Sequence, residues 1–169
     1  MESLSSVDRQ TALHILDRIE EAIQTVQTRN VLIRTADDFL LTPEGKEKMD
    51  AACMVIEAIG ESFKNLDKLT NYELLPMYPS IEWKEVKGVR DVIAHHYFDI
   101  DANEIFSIIN NDFDSLRDAI RFFKDVLTSN ALDLFKQQRA AAEASGEPEL
   151  TLDEINEEIR AARANRGKK

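Results

Sequence analysis

Ten residues near the middle of the chain, Val89-Arg90-Asp91-Val92-Ile93-Ala94-His95-His96-Tyr97-Phe98, hold the side chains best suited to chemistry. They contain two of the three histidines, an arginine five positions before the first, and a tyrosine two positions after it. A permanently charged guanidinium near an imidazole that titrates around neutrality is a pair suited to phosphate. RNA is cut without a metal when its own 2′-hydroxyl attacks the adjacent phosphodiester. That reaction needs a group to move protons, which His95 supplies, and a cation for the charge building on phosphorus, which Arg90 supplies as a fork of N–H donors. Its products are a 2′,3′-cyclic phosphate and a 5′-hydroxyl.

The spacing raises a geometric problem. Five residues turn an α-helix by about 140°, so Arg90 and His95 do not share a face of a regular helix, whereas Arg90 and Tyr97 lie almost in line. The helix distorts before His95, or the length of arginine closes the gap, or two copies of the chain each contribute part of one site. By themselves, an Arg and a His in one helix are more often surface or ion-paired residues. Tyr97 alone reads as the cap of a hydrophobic edge. His95 and His96 with Asp99 and Asp101 match no usual metal-ligand spacing, and the reading here takes no metal and no cofactor.

The elements that must carry this stretch read as helices. Ser5-x-x-Asp8 is a capping box, followed by Ala12, Ile15, Leu16, Ile19, Ile23 and Val26 at helical spacing, which predicts a helix over Ser6–Arg29. His14 falls off that stripe, as an exposed residue without a role. Val31–Leu41 is less regular, with Asp37-Asp38 as a break. Thr42-Pro43 starts a second long helix whose stripe is Met49, Ala52, Cys53, Ile56, Ile59, Phe63 and Leu66. Cys53 lies on the stripe, which makes it a buried, inert thiol. Thr70–Ser80 holds Pro76 and Pro79 and reads as a loop. A third helix from Ile81, with Trp83 as a core anchor, runs to about Asp99. Gly88 inside it marks a close approach of another backbone. Asp101-x-x-Glu104 caps a short helix that Asn110-Asn111-Asp112 interrupts. Phe113, Leu116, Ile120, Phe123, Leu127 and Leu134 form a fifth. No segment alternates apolar and polar like a half-buried strand, so the fold class is all-α.

Length and composition are consistent with this. A chain of 169 residues with 43% hydrophobic and 31% charged content is enough for one helical core. No apolar run approaches a membrane span and no signal-peptide pattern opens the chain. Cys53 is the only cysteine, which rules out an internal disulfide and points to a reducing cytoplasm. The formal charge of −11 is not that of a protein holding RNA by broad backbone attraction. RNA contact has to be local, and an acidic chain equally suits a protein partner.

With the flanks in view, the Arg90-x4-His95-x-Tyr97 motif resembles that of the HepT-like HEPN ribonucleases, the toxin half of HepT/MntA toxin–antitoxin pairs. Ile56–Glu61 is similar to that family's second-helix segment and Pro79–Arg90 to its approach to the motif. Tyr97–Asp101 and Ile108–Asp112 are similar to the family's segments after the motif. The resemblance covers about Ser5–Leu134. It implies a homodimeric up-and-down helical bundle with Arg90 and His95 in a dimer-interface cleft lined by Asp91 and His96. It also implies metal-independent RNA cleavage, and an MntA-like nucleotidyltransferase antitoxin that transfers AMP onto Tyr97. The family usually has Asn where this chain has Asp91, and a carboxylate there competes for Arg90 and repels RNA phosphates. The competing reading is a catalytically inactive HEPN dimer that acts by binding a partner. Residues 1–139 form the HEPN domain. Residues 140–169 are a linker and a short amphipathic tail helix with Leu152, Ile155 and Ile159, for docking to a partner or remaining flexible.

Overall fold

Each long helix begins where its cap is. In the computed structural model, which describes residues 4–129, Ser5 Oγ accepts the Asp8 amide at 3.1 Å and opens α1 (Ser6–Arg29). Thr42 Oγ1 accepts the Gly45 amide at 2.9 Å, and Pro43 takes the first position of α2 (Pro43–Leu69). α3 spans Trp83–His96, α4 Ala102–Ser107 and α5 Phe113–Ser129. Short 3₁₀ turns at Ala36–Phe39, Leu75–Met77 and Tyr97–Asp99 join the helices, and no strand occurs among the described residues.

Side-chain pairs fix the packing as up-and-down. Arg9 Nη1 reaches Leu127 O at 3.2 Å, Lys124 Nζ lies 2.7 Å from Asp17 and 2.6 Å from Glu20, and Arg117 Nη2 donates to Gln24 at 2.8 Å. α1 and α5 are therefore antiparallel. Lys48 Nζ of α2 donates to Arg29 O at the end of α1. Lys87 of α3 pairs with the buried Asp67 of α2, and Arg90 with Glu61, which sets α3 antiparallel to α2. The core is one apolar cluster from all five helices. Trp83 anchors it: its ring lies 5.2 Å from Phe63 and 5.5 Å from Phe123, and its Nε1 donates to Tyr78 O at 2.9 Å.

Three local expectations change and one is sharpened. Asp38 is a cap and not a breaker, accepting the Arg34 and Thr35 amides at 2.8 and 2.9 Å, which holds its carboxyl below the usual range. Thr70–Ser80 is the expected loop with one 3₁₀ turn, and part of it is buried. Tyr72 N–H to Asp67 O (2.7 Å) and Asn71 N–H to Lys68 O (3.1 Å) close α2 in a Schellman turn, with Asn71 and Tyr72 at positive φ. Leu74, Leu75 and Met77 then plug the core. Asn110–Asp112 does not break the helix. One π turn, Ile108–Asp112, carries α4 into α5, because Ile105, Ile109, Phe113 and Leu116 must bury on one side. The Asn110 and Asn111 amides bond back to Phe106 O and Ser107 Oγ.

The third change concerns Gly88. A Cβ built there meets nothing within 4 Å. The close approach is made by Gly60 of α2, where a Cβ would sit 3.0 Å from Val86 O, 3.3 Å from Val89 Cγ1 and 3.4 Å from Arg90 Cβ. His14 is exposed and Cys53 buried, as their positions on and off the stripes predict. Leu134 and the linker and tail helix expected over 140–169 lie outside the described residues. Among the described residues no helix is long and apolar enough to cross a membrane.

Candidate active site

The Arg90–Tyr97 stretch lies along the outer side of α3 and the 3₁₀ turn after it. Trp83 and Ile93 face the core, and the opposite side presents Asp91, Val92, His95 and His96 to solvent. α3 stays α-helical through His95 and breaks only at His96, with φ −127° and ψ 30°. A distortion before His95 is thereby removed from the geometric choices. On this regular helix Arg90 and His95 are about 140° apart in azimuth and about 7.5 Å apart in rise. Tyr97 begins the 3₁₀ turn, so it is not in line with Arg90 as a continuous helix would set it.

Arg90 is paired inside its own chain. Nε lies 3.1 Å from Glu61 Oε2 on α2, and Nη1 donates to Asp91 Oδ1 at 2.7 Å. Asp91, expected to compete for the guanidinium, does so. Glu61 is not a residue that sequence alone singles out, although it ends the Ile56–Glu61 segment that carries part of the family resemblance. Its only signal is its place on the edge of the α2 stripe.

Tyr97 turns back onto α2. Interaction with the Asp50 carboxylate, with lesser effects of desolvation and of charge at Asp50 and Cys53, pushes the phenol up to about 12. Asp50 is the other neighbour of the candidate residues that sequence alone misses, and no periodicity could have joined positions 50 and 97. Beside Tyr97, Phe98 is 97% exposed, with ring centroids 5.6 Å apart. Met54 of α2 and Val92 of α3 are also exposed. His95, His96, Asp99 and Asp101 do not gather into a metal-ligand cluster, and among the described residues no such group of three occurs.

The family model described as Ribonuclease HepT-like matches residues 12–123. The chain belongs to the HepT-like ribonuclease family. A Thermococcus cleftensis relative, provisionally named ribonuclease HepT, is 30% identical over 104 residues, which are 60% of this chain and 86% of that one. A Methanocaldococcus jannaschii protein named as a gamma-glutamylcyclotransferase and, provisionally, an RNase is 31% identical over 117 residues. The match takes in 69% of this chain but only 47% of that protein, so the chain spans about half of this relative's length. A second protein of that organism, provisionally named an RNase, is 31% identical over 93 residues, 54% of this chain and 71% of its own. No solved structure matches the chain. The HepT-like match contains the whole Arg90–Tyr97 stretch as well as Asp50 and Glu61.

Proposed function

We propose that this chain is a metal-independent RNA-cleaving toxin of a toxin–antitoxin pair, with Arg90 and His95 in a cleft between two copies of the chain. The observation that carries the reading is the Arg90-x4-His95-x-Tyr97 series at the C-terminal end of α3 and the turn after it, within a chain of the HepT-like ribonuclease family. His95 takes the proton from the ribose 2′-hydroxyl, the 2′-oxygen bonds to phosphorus, and the bond to the 5′-oxygen breaks. That oxygen leaves as a hydroxyl with a returned proton. Arg90 stabilises the charge on the non-bridging oxygens. Asp91 and His96 line the cleft.

The separation of Arg90 and His95 around α3 supports a composite site, in which one copy's arginine meets the partner copy's histidine across a two-fold axis. The exposed aromatic pair Tyr97 and Phe98, at the end of the same stretch, supports the same dimer. Regulation acts through Tyr97. A nucleotidyltransferase antitoxin directs its hydroxyl onto the α-phosphate of ATP; the new P–O bond forms as pyrophosphate leaves. The bulky anionic AMP then fills the space meant for RNA phosphate.

The test is cleavage of RNA by the purified chain, with and without EDTA. Arg90→Ala and His95→Ala each abolish cleavage without unfolding, and EDTA leaves it intact; both variants cutting like wild type overturns the assignment. Light scattering should give about twice the 19.3 kDa chain mass. Co-expression with the nucleotidyltransferase adds about 329 Da per AMP, and Tyr97→Phe removes the addition.

A second reading is favoured by one observation: both Asp91 and Glu61 occupy the guanidinium that phosphate would need. In that reading the dimer is inactive and binds a partner only. It predicts RNA intact after prolonged incubation with the chain, and no growth arrest when the chain is expressed alone.

A further inference from the structure

The two carboxylates on Arg90 are not equivalent. Asp91 is the next residue on α3, its side chain is 57% exposed, and its bond to Nη1 lies at the surface. Water can replace that bond, so an exposed pair of this kind holds weakly. The Glu61 side chain is 42% exposed overall, yet its Oε2 is buried and has no aligned hydrogen bond from any described group. Its charge contact with Arg90 Nε is what compensates it. Withdrawing the arginine would leave that oxygen unpaired until the carboxylate turned to water, which costs more than freeing the more exposed Asp91. Gly60 completes the seat. Because it has no Cβ, α2 reaches to within contact of Val86 O and Arg90 Cβ, and the stem of the arginine leaves α3 directly against α2.

We propose that Glu61 is a positioning residue that fixes the Nε edge of Arg90, and that Asp91 is a latch on the same guanidinium which an RNA phosphate displaces. This rests on the reading that Arg90 receives a phosphodiester. The exchange keeps the guanidinium doubly paired throughout, with Glu61 on one side and either Asp91 or phosphate on the other. The fork is therefore oriented before RNA arrives, and its terminal edge alone changes partner. Asp91 lowers affinity for RNA, whereas Glu61 sets the direction of the fork and so the rate.

The experiment uses the full-length chain and two RNA oligonucleotides of one sequence, one cleavable and one with 2′-O-methyl riboses that cannot be cut. Asp91→Asn should bind the uncleavable RNA about two- to five-fold more tightly, the range expected for loss of one exposed charge pair. Glu61→Gln should bind with little change in Kd but cut at least about ten-fold more slowly in single turnover, and Glu61→Asp should recover part of the rate. The Arg90 Nε–H resonance in ¹⁵N–¹H spectra should shift in Glu61→Gln and stay in place in Asp91→Asn. Circular dichroism checks that each variant is folded. Equal or weaker binding by Asp91→Asn overturns the latch. Lower affinity at an unchanged rate in Glu61→Gln overturns the positioning role. If Arg90→Ala binds and cuts like wild type, the phosphate reading itself fails. If Arg90→Ala is impaired while both acidic variants match wild type, only this proposal fails. A wild-type chain that binds RNA without cutting it leaves the decision to the binding and NMR results.

Discussion

The same substitution, Gly→Ala, should have opposite signs at two positions that are alike in sequence, Gly60 and Gly88. Both lie inside helices, where alanine is favoured over glycine by about 0.5–1 kcal/mol because it loses less backbone entropy. At Gly88 nothing stands within 4 Å of the added Cβ, so that gain is realised and Gly88→Ala stabilises by about 0.5–1 kcal/mol. At Gly60 the Cβ would meet a backbone carbonyl, Val86 O, at 3.0 Å, and Val89 Cγ1 at 3.3 Å. A carbonyl in a helix cannot swing aside, so α2 and α3 must separate by a few tenths of an ångström. Overpacking of this kind costs about 1–3 kcal/mol, which outweighs the helix gain over nearly all of that range and leaves Gly60→Ala destabilised by up to about 2.5 kcal/mol. Urea unfolding followed at 222 nm reads both, at one fixed protein concentration since association would add to stability. Each kcal/mol should also move the thermal midpoint by about 2–4 °C for a chain of this size. A Gly60→Ala protein as stable as wild type would show that the interhelical contact is slack and that Arg90 is not seated by it. A Gly88→Ala protein that is destabilised would restore the close approach expected there from sequence, made by a second chain.

Single side chains give three further expected outcomes. Tyr97 should titrate near 12, read as the difference in absorbance at 295 nm between wild type and Tyr97→Phe, and Asp50→Asn should bring it down towards 10. Because the folded pKa is raised, the Tyr97 contribution to stability is complete below pH 10 and is lost as pH rises towards 12; constant stability across that window would contradict the Asp50 contact. Cys53, whose thiol is pushed up to about 11 by desolvation and then by the Asp50 charge, should resist thiol reagents at pH 8 in the native chain and react once urea unfolds it. Lys87→Ala leaves the buried Asp67 carboxylate without its cation and should cost about 1–3 kcal/mol in urea unfolding, a loss that Asp67→Asn in the same chain partly restores.

The apolar stripes and caps were enough to place the long helices, because burial at 3.6-residue spacing and a Ser or Thr at the first turn act within one segment. Ser5, Thr42, Trp83 and Cys53 each take the part their local pattern predicts. The reactive stretch was legible for the same reason: Arg90, His95 and Tyr97 are close along the chain. What the local pattern misjudged was decided by neighbours far away in sequence. Asn110–Asp112 reads as a break, yet burying Ile109 and Phe113 together draws the helix through it. Gly88 reads as the point of contact, yet the contact belongs to Gly60, because only the crossing of α2 with α3 determines which glycine lacks space. Glu61 and Asp50 adjoin the candidate residues for the same reason. They are 29 and 47 positions before Arg90 and Tyr97, and the antiparallel register of two helices, set by the whole core, brings each carboxylate to its partner.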